Sequence, residues 1–125
     1  MSNVAWVAFL VAAAVGAPAR YVIEGFVQDH VDGAFPWGTL VVNVTGCLGL
    51  GVLTGLGLHH GMDSTVMTVL GAGGIGAYTT FSTFTFETVR LAEAGAVNDA
   101  LRNTAANFLV GLAAAGAGLA LTAVG

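Results

Sequence analysis

Residues 65–86 read TVMTVLGAGGIGAYTTFSTFTF, a stretch long enough to cross a bilayer yet poorly composed for one unbroken helix. About 20 mostly apolar residues span the hydrocarbon. Gly, however, costs about 1 kcal/mol per helical position relative to Ala, and Gly71, Gly73, Gly74 and Gly76 lead directly into the hydroxyl-rich run Thr79-Thr80-Phe81-Ser82-Thr83. A membrane helix broken near its middle is expected. Lipid cannot satisfy the backbone groups that a break frees, so breaks persist only when buried in protein or turned onto a cavity or an ion. Freed carbonyls are suited to a cation such as Na⁺, with no carboxylate needed. The break therefore implies a site.

Outward from this stretch lie three more apolar runs, Val4 to Phe26, Trp37 to Leu58 and Thr104 to Val124. With Thr65 to Phe86 they predict an all-α membrane protein of four transmembrane helices, residues 1–125 forming a single transmembrane domain. The composition agrees, since 125 residues that are 56% hydrophobic and 8% charged cannot present a soluble surface. There is no Lys, and Arg20, Arg90 and Arg102 are too few to neutralise a phosphate backbone, which excludes nucleic acid as a partner. The acids Glu24, Asp29, Asp32, Asp63, Glu93 and Asp99 fall between the runs and read as solvated loop charges. Polar connections are expected at 24–33, 59–64 and 90–102, with Phe35, Pro36 and Trp37 as an interfacial anchor.

Several features have a plain reading. The lone Cys47 can form no internal disulfide and fits a buried small side chain. Val4 to Ala19 is preceded by no basic residue and is expected to be a retained helix rather than a cleaved signal. His59 and His60 are expected in a solvated loop, because no Cys, Asp or Glu completes a metal-binding spacing. Gly71-x-Gly73-x-x-Gly76 matches a dinucleotide fingerprint, but the alternation of strands and helices that such a fold needs is missing. The pairs Gly51/Gly55 and Gly57/Gly61, and the face Gly111, Ala115 and Gly118, predict close helix contacts.

Polar side chains within spans need a reason. Asn43 shares one helix face with Thr39 and Gly46, and it serves equally well as interhelical glue or as pore lining. Phe81 and Phe84 stand three apart among hydroxyls. Either they pack in lipid or core, or their rings present a positive edge to an anion without trapping it by full charge. Glu87 ends the run as an interfacial residue.

Three motifs carry a resemblance. Gly16-Ala17-Pro18-Ala19-Arg20-Tyr21, Pro36-Trp37-Gly38-Thr39-Leu40-Val41-Val42-Asn43-Val44-Thr45-Gly46 and Thr79-Thr80-Phe81-Ser82-Thr83-Phe84-Thr85-Phe86-Glu87 resemble GAxxRY, PxGTLxVNxxG and TTFSTFxxE of the Fluc (CrcB-type) fluoride channels, in the same order. The resemblance implies a fluoride-selective passive channel, not an enzyme, that exports fluoride through the cell's inner (plasma) membrane and lowers its toxicity. It implies an antiparallel, dual-topology dimer with two fluoride pathways lined by Asn43, Phe81 and Phe84, with Thr80, Ser82 and Thr39 as nearby hydroxyls. It also implies a structural Na⁺ at the dimer interface on the main-chain carbonyls of Gly76 and Thr79, and structural duties for Arg20, Gly73 and Gly74.

The chain departs from that pattern where Asn107 is followed, four residues on, by Gly111 rather than the usual Ser, so Asn103 and Asn107 are the donors on offer in the fourth span. A subunit of a heterodimer with a paralogue is therefore an alternative to the homodimer. A proton-coupled exporter of the small multidrug-resistance type is a second alternative, but its embedded Glu is missing between Val4 and Ala19. A membrane scaffold would explain the glycines and not the broken helix.

Overall fold

The computed structural model describes residues 1–124, and among them every regular element is helical. Helix α1, Asn3–Asp29, is capped by the Ser2 hydroxyl, which accepts from the Ala5 N–H at 3.1 Å. Its last turn is tied to the next helix by Gln28, whose Nε2 donates to the Phe35 carbonyl and whose Oε1 accepts from Gly38 N–H. Helix α2, Trp37–His60, stops at Gly61, which takes φ +67°, a conformation Gly adopts without the steric cost a side chain brings. His59 and His60 thus end a helix rather than sit in a loop. The His60 ring Nε2 lies 2.8 Å from the carbonyl of Thr122 at the far end of the chain.

The third span is broken. Helix α3 (residues 64–78) begins at Asp63, whose carboxylate accepts from Thr65 N–H, and winds through a π-helical stretch, Thr68–Ile75, before a final α turn, Gly76–Tyr78. Helix α4, Ser82–Glu93, follows after Thr79, Thr80 and Phe81. The break is near the middle of the span, as expected, but the glycines are not what breaks it. They stay helical in wide turns, and the backbone becomes extended only at Thr79, with φ −80° and ψ 162°. The glycines serve close approach instead. A Cβ on Gly16 would overlap the Gly74 carbonyl, and one on Gly73 would lie 3.0 Å from the Phe9 carbonyl. Gly74 itself has room for a methyl, 3.7 Å from Ala12 Cβ.

Helix α5, Val97–Ala123, contains a second π-helical turn at Ala106–Val110. The connection between α4 and α5 is far shorter than hydropathy suggests, because helical hydrogen bonding continues through the polar residues that leave the apolar layer. Arg102 and Asp99, three apart on the first turns of α5, pair there at 3.6 Å. Helices α2 and α5 pack backbone to backbone: Gly51 meets the Ala115 carbonyl, and Gly118 meets Leu48 and Val52. Thr122 fills the space left by Gly55.

α1, α2 and α5 are each long and apolar enough to cross a membrane. Large apolar side chains such as Val4, Leu10, Val15, Leu109 and Leu112 are exposed, so these faces call for lipid or protein.

Candidate functional site at the helix break

The break is held by Asn43. Its Oδ1 accepts from the Thr80 N–H at 2.9 Å, and its Nδ2 donates to the Thr80 carbonyl at 2.9 Å. One side-chain amide therefore satisfies both polar groups of the residue that leaves the helix, the accounting that hydrocarbon demands. Further backbone carbonyls are released as a result. In a continuous helix Thr80 N–H would bind the Gly76 carbonyl and Thr83 N–H the Thr79 carbonyl. Here Thr80 N–H turns to Asn43, and Thr83 N–H donates to Thr80 Oγ1 at 3.1 Å, which caps α4. The carbonyls of Gly76, Ala77, Tyr78 and Thr79 all lack the helical partners that residues 80–83 would supply, and of these four residues Gly76 and Thr79 line the cavity at the break.

Asn43, Thr80, Phe81, Phe84, Gly76 and Thr79 all line one cavity of about 610 Å³ on the side of the chain between α2, α3 and α5. Phe84 is buried, whereas Phe81 is 71% exposed at the cavity's margin. Their centroids lie 5.9 Å apart. Phe84 also meets Phe108 edge to face, at 5.9 Å and 82°. Phe108 is a cavity residue that the sequence did not single out. Its one signal is adjacency to Asn107 in α5.

Asn43 has a third bond. Its Nδ2 also donates to Asn107 Oδ1 at 3.0 Å, and Asn107 Nδ2 in turn donates to the Oδ1 and the carbonyl of Asn103. Asn103, fully buried, donates to Thr88 Oγ1 at 2.9 Å, and Thr88 donates to the Phe84 carbonyl. The amides expected as open donors thus form a continuous chain running from the break to the backbone of α4. The wide turn at Ala106–Val110 contains Asn107.

Thr39 and Ser82 do not join this cavity. Thr39 is buried and donates to Glu87 Oε1 at 2.6 Å. Thr39 and Glu87 line a separate polar cavity of about 490 Å³ with Glu24, Gln28 and Gly38. Glu87 is therefore the acceptor of a buried hydroxyl. Ser82 is exposed on the first turn of α4 and lies outside the cavity lining. On α1, Arg20 Nε and Glu24 Oε1 are buried without a hydrogen-bond partner among the described residues. Cys47 lines the larger cavity beside Gly111, where an added Cβ would lie 3.3 Å from its sulfur.

Among the described residues no three His, Cys, Asp or Glu side chains converge on a metal position. What the break offers a cation is main-chain oxygen.

Comparison with known proteins follows this geometry. The profile of the family described as "CrcB-like protein, Camphor Resistance (CrcB)" matches residues 7–119. A protein of Streptomyces avermitilis named fluoride-specific ion channel FluC 1 is 47% identical over 114 residues, covering 91% of this chain and 92% of its own. Another FluC 1, from Rubrobacter xylanophilus, is 44% identical over 109 residues, 87% of this chain and 86% of its own. A Mycobacterium tuberculosis protein named fluoride-specific ion channel FluC 2 is 39% identical over 110 residues, 88% of this chain and 84% of its own. With these relatives spanning almost its full length, and with its third helix broken at the TTFSTF segment, the chain belongs to the CrcB-like family.

Proposed function

We propose that this chain is a subunit of a fluoride-selective passive channel that lets fluoride leave the cytoplasm across the plasma membrane and so lowers its toxicity. The observation that carries the reading is the break itself: one cavity brings together two phenylalanines, an amide and two released carbonyls at the middle of a membrane span. Fluoride is small and tightly hydrated, so conduction needs neutral groups that replace water without trapping the ion. Ring edges of Phe81 and Phe84 and the Asn43 amide are groups of that kind. Thr80 works from the backbone side, since its hydroxyl is engaged as the cap of α4. Thr39 would act from the separate polar cavity, and Ser82 only from the exposed side of α4.

The released carbonyls of Gly76 and Thr79 fit a monovalent cation, and Na⁺ held there would supply fixed positive charge near the anion path. The cavity opens on a face with exposed Phe81, and a second, antiparallel copy of the chain is the partner we assign to it. The relatives' names, numbered FluC 1 and FluC 2, together with Gly111 in α5, support a second reading in which the partner is a paralogue.

The test is fluoride efflux from proteoliposomes followed with an electrode. Passive efflux is expected, with strong preference over chloride and with neither nucleotide nor a proton gradient. Vesicles that hold folded dimer and release no fluoride would overturn the reading.

A further inference from the structure

The geometry points to Asn107 as a built-in competitor of the transported anion: its side-chain oxygen occupies the one Asn43 N–H that is not spent on Thr80, and fluoride must displace it to use that donor. The inference rests on the fluoride reading above and adds a specificity-determining residue to it.

A side-chain amide has two N–H donors and one carbonyl oxygen. In Asn43 the oxygen and one N–H are spent on the two polar groups of Thr80. Releasing either would leave a backbone group unpaired at membrane depth, so this pair is fixed. The second N–H points to Asn107 Oδ1 at 3.0 Å. Asn107 cannot offer a donor in its place, because its Nδ2 is engaged at 2.8 Å by the Asn103 carbonyl and at 3.0 Å by Asn103 Oδ1. Asn103 is anchored in turn through Thr88.

An anion in this cavity therefore meets no vacant amide N–H. It obtains one by replacing a neutral acceptor with a charged one, and hydrogen bonds to ions are roughly twice as strong as neutral ones. The exchange leaves the break intact, since the Thr80 pair is untouched. It also raises the threshold for entering the path, because any weakly accepting anion loses to the Asn107 oxygen. A large, weakly basic halide is disfavoured on both counts.

Initial efflux rates measured over a range of internal fluoride test this, with wild type, Asn107→Ser and Asn107→Asp. Ser is too short to reach Asn43 and can bond back to the Asn103 carbonyl. Its half-saturating fluoride concentration is expected to fall about fivefold, the factor one net neutral hydrogen bond supplies. The gain should vanish when Asn43→Ala is added. Asp offers a charged acceptor that fluoride does not displace, and flux is expected to drop at least about tenfold. A merely structural Asn107 would impair both variants alike. A second measurement needs no variant to fold: the side-chain amide resonances of Asn43 in ¹⁵N-labelled wild type should shift on titration with NaF and not with NaCl. Unchanged or raised half-saturation in Asn107→Ser, or amide resonances that ignore fluoride, overturns the inference while wild-type efflux upholds the channel. Absence of wild-type efflux overturns the channel reading instead.

Discussion

Asn43 and Thr80, thirty-seven residues apart, are joined by a pair of hydrogen bonds of 2.9 Å each, in which a side-chain amide stands in for the backbone of a missing helical turn. Asn43→Ala removes both partners at once. Leaving a buried N–H and C=O unsatisfied costs on the order of 2–6 kcal/mol in total. The variant is expected to lose most of its fluoride flux and to unfold at lower temperature in detergent. Asn43→Asp keeps an acceptor for Thr80 N–H but sets a carboxylate against the Thr80 carbonyl and Asn107 Oδ1, so it should be at least as destabilised as Asn43→Ala. Thermal unfolding of the purified proteins measures the order.

The face that carries this bond was legible before the structure. Thr39, Asn43 and Gly46 share one side of α2 by spacing alone, and each meets the third span: Thr39 at Glu87, Asn43 at Thr80, and Gly46 where an added Cβ would overlap the Thr79 methyl. The position of the break within the motif was not legible. Helix propensity penalises every Gly equally, whereas what decides is which residues have a substitute partner. Thr80 has Asn43, and Gly71, Gly73 and Gly74 need none because they lie inside the π-helical stretch. The resemblance to the fluoride channels implies Thr39 and Ser82 as hydroxyls near the pathway. Hydroxyl spacing cannot say that Thr39 is engaged by Glu87, or that Ser82 faces outward.

The two phenylalanines should separate by stability while agreeing in function. Phe84 is buried and edge-on to Phe108, so Phe84→Ile gives up an aromatic pair of about 0.5–1.5 kcal/mol as well as flux. Phe81 is exposed in the single chain, and Phe81→Ile is expected to depress flux with little change in the fold of the subunit. Flux assays beside unfolding curves check both. Wild-type efflux in both variants would return these rings to a packing role.

Close packing of α2 on α5 makes a sharp forecast about glycine. An added Cβ on Gly118 would lie 2.5 Å from the Leu48 carbonyl and 2.7 Å from Val52 N, backbone atoms that cannot step aside. Overpacking of this kind costs about 1–3 kcal/mol or more. Gly118→Ala should therefore lower the unfolding temperature clearly. Gly25→Ala, with no atom within 4 Å of the added methyl, should leave it unchanged or raise it. Equal effects at the two positions would show that α2 and α5 are not in this contact.

The fold also fixes which ends of the helices share a side, and that makes orientation testable. His60 at the end of α2 reaches the Thr122 carbonyl at the end of α5, so Gly61 and the C-terminal end of α5 lie together. Gln28 joins the end of α1 to the start of α2 at the opposite side. By this alternation Ser2 and Asp63 belong with the His60 side, whereas Arg90 and Arg102 flank the α4–α5 connection on the Gln28 side. Short-loop Arg sets topology by preferring the cytoplasm, so a dual-topology chain needs nearly balanced sides. Arg20 lies in α1 with a buried Nε, which leaves Arg90 and Arg102 as a weak, one-sided bias. We expect the antiparallel homodimer to tolerate it. In intact cells carrying Cys47→Ala, single cysteines placed by Ser2→Cys and by Asp63→Cys should each be partly labelled by an impermeant reagent and partly protected. All-or-none labelling at both positions would refute dual topology. Complete external access at both would put the Gln28 side in the cytoplasm and favour a fixed-orientation subunit paired with a paralogue.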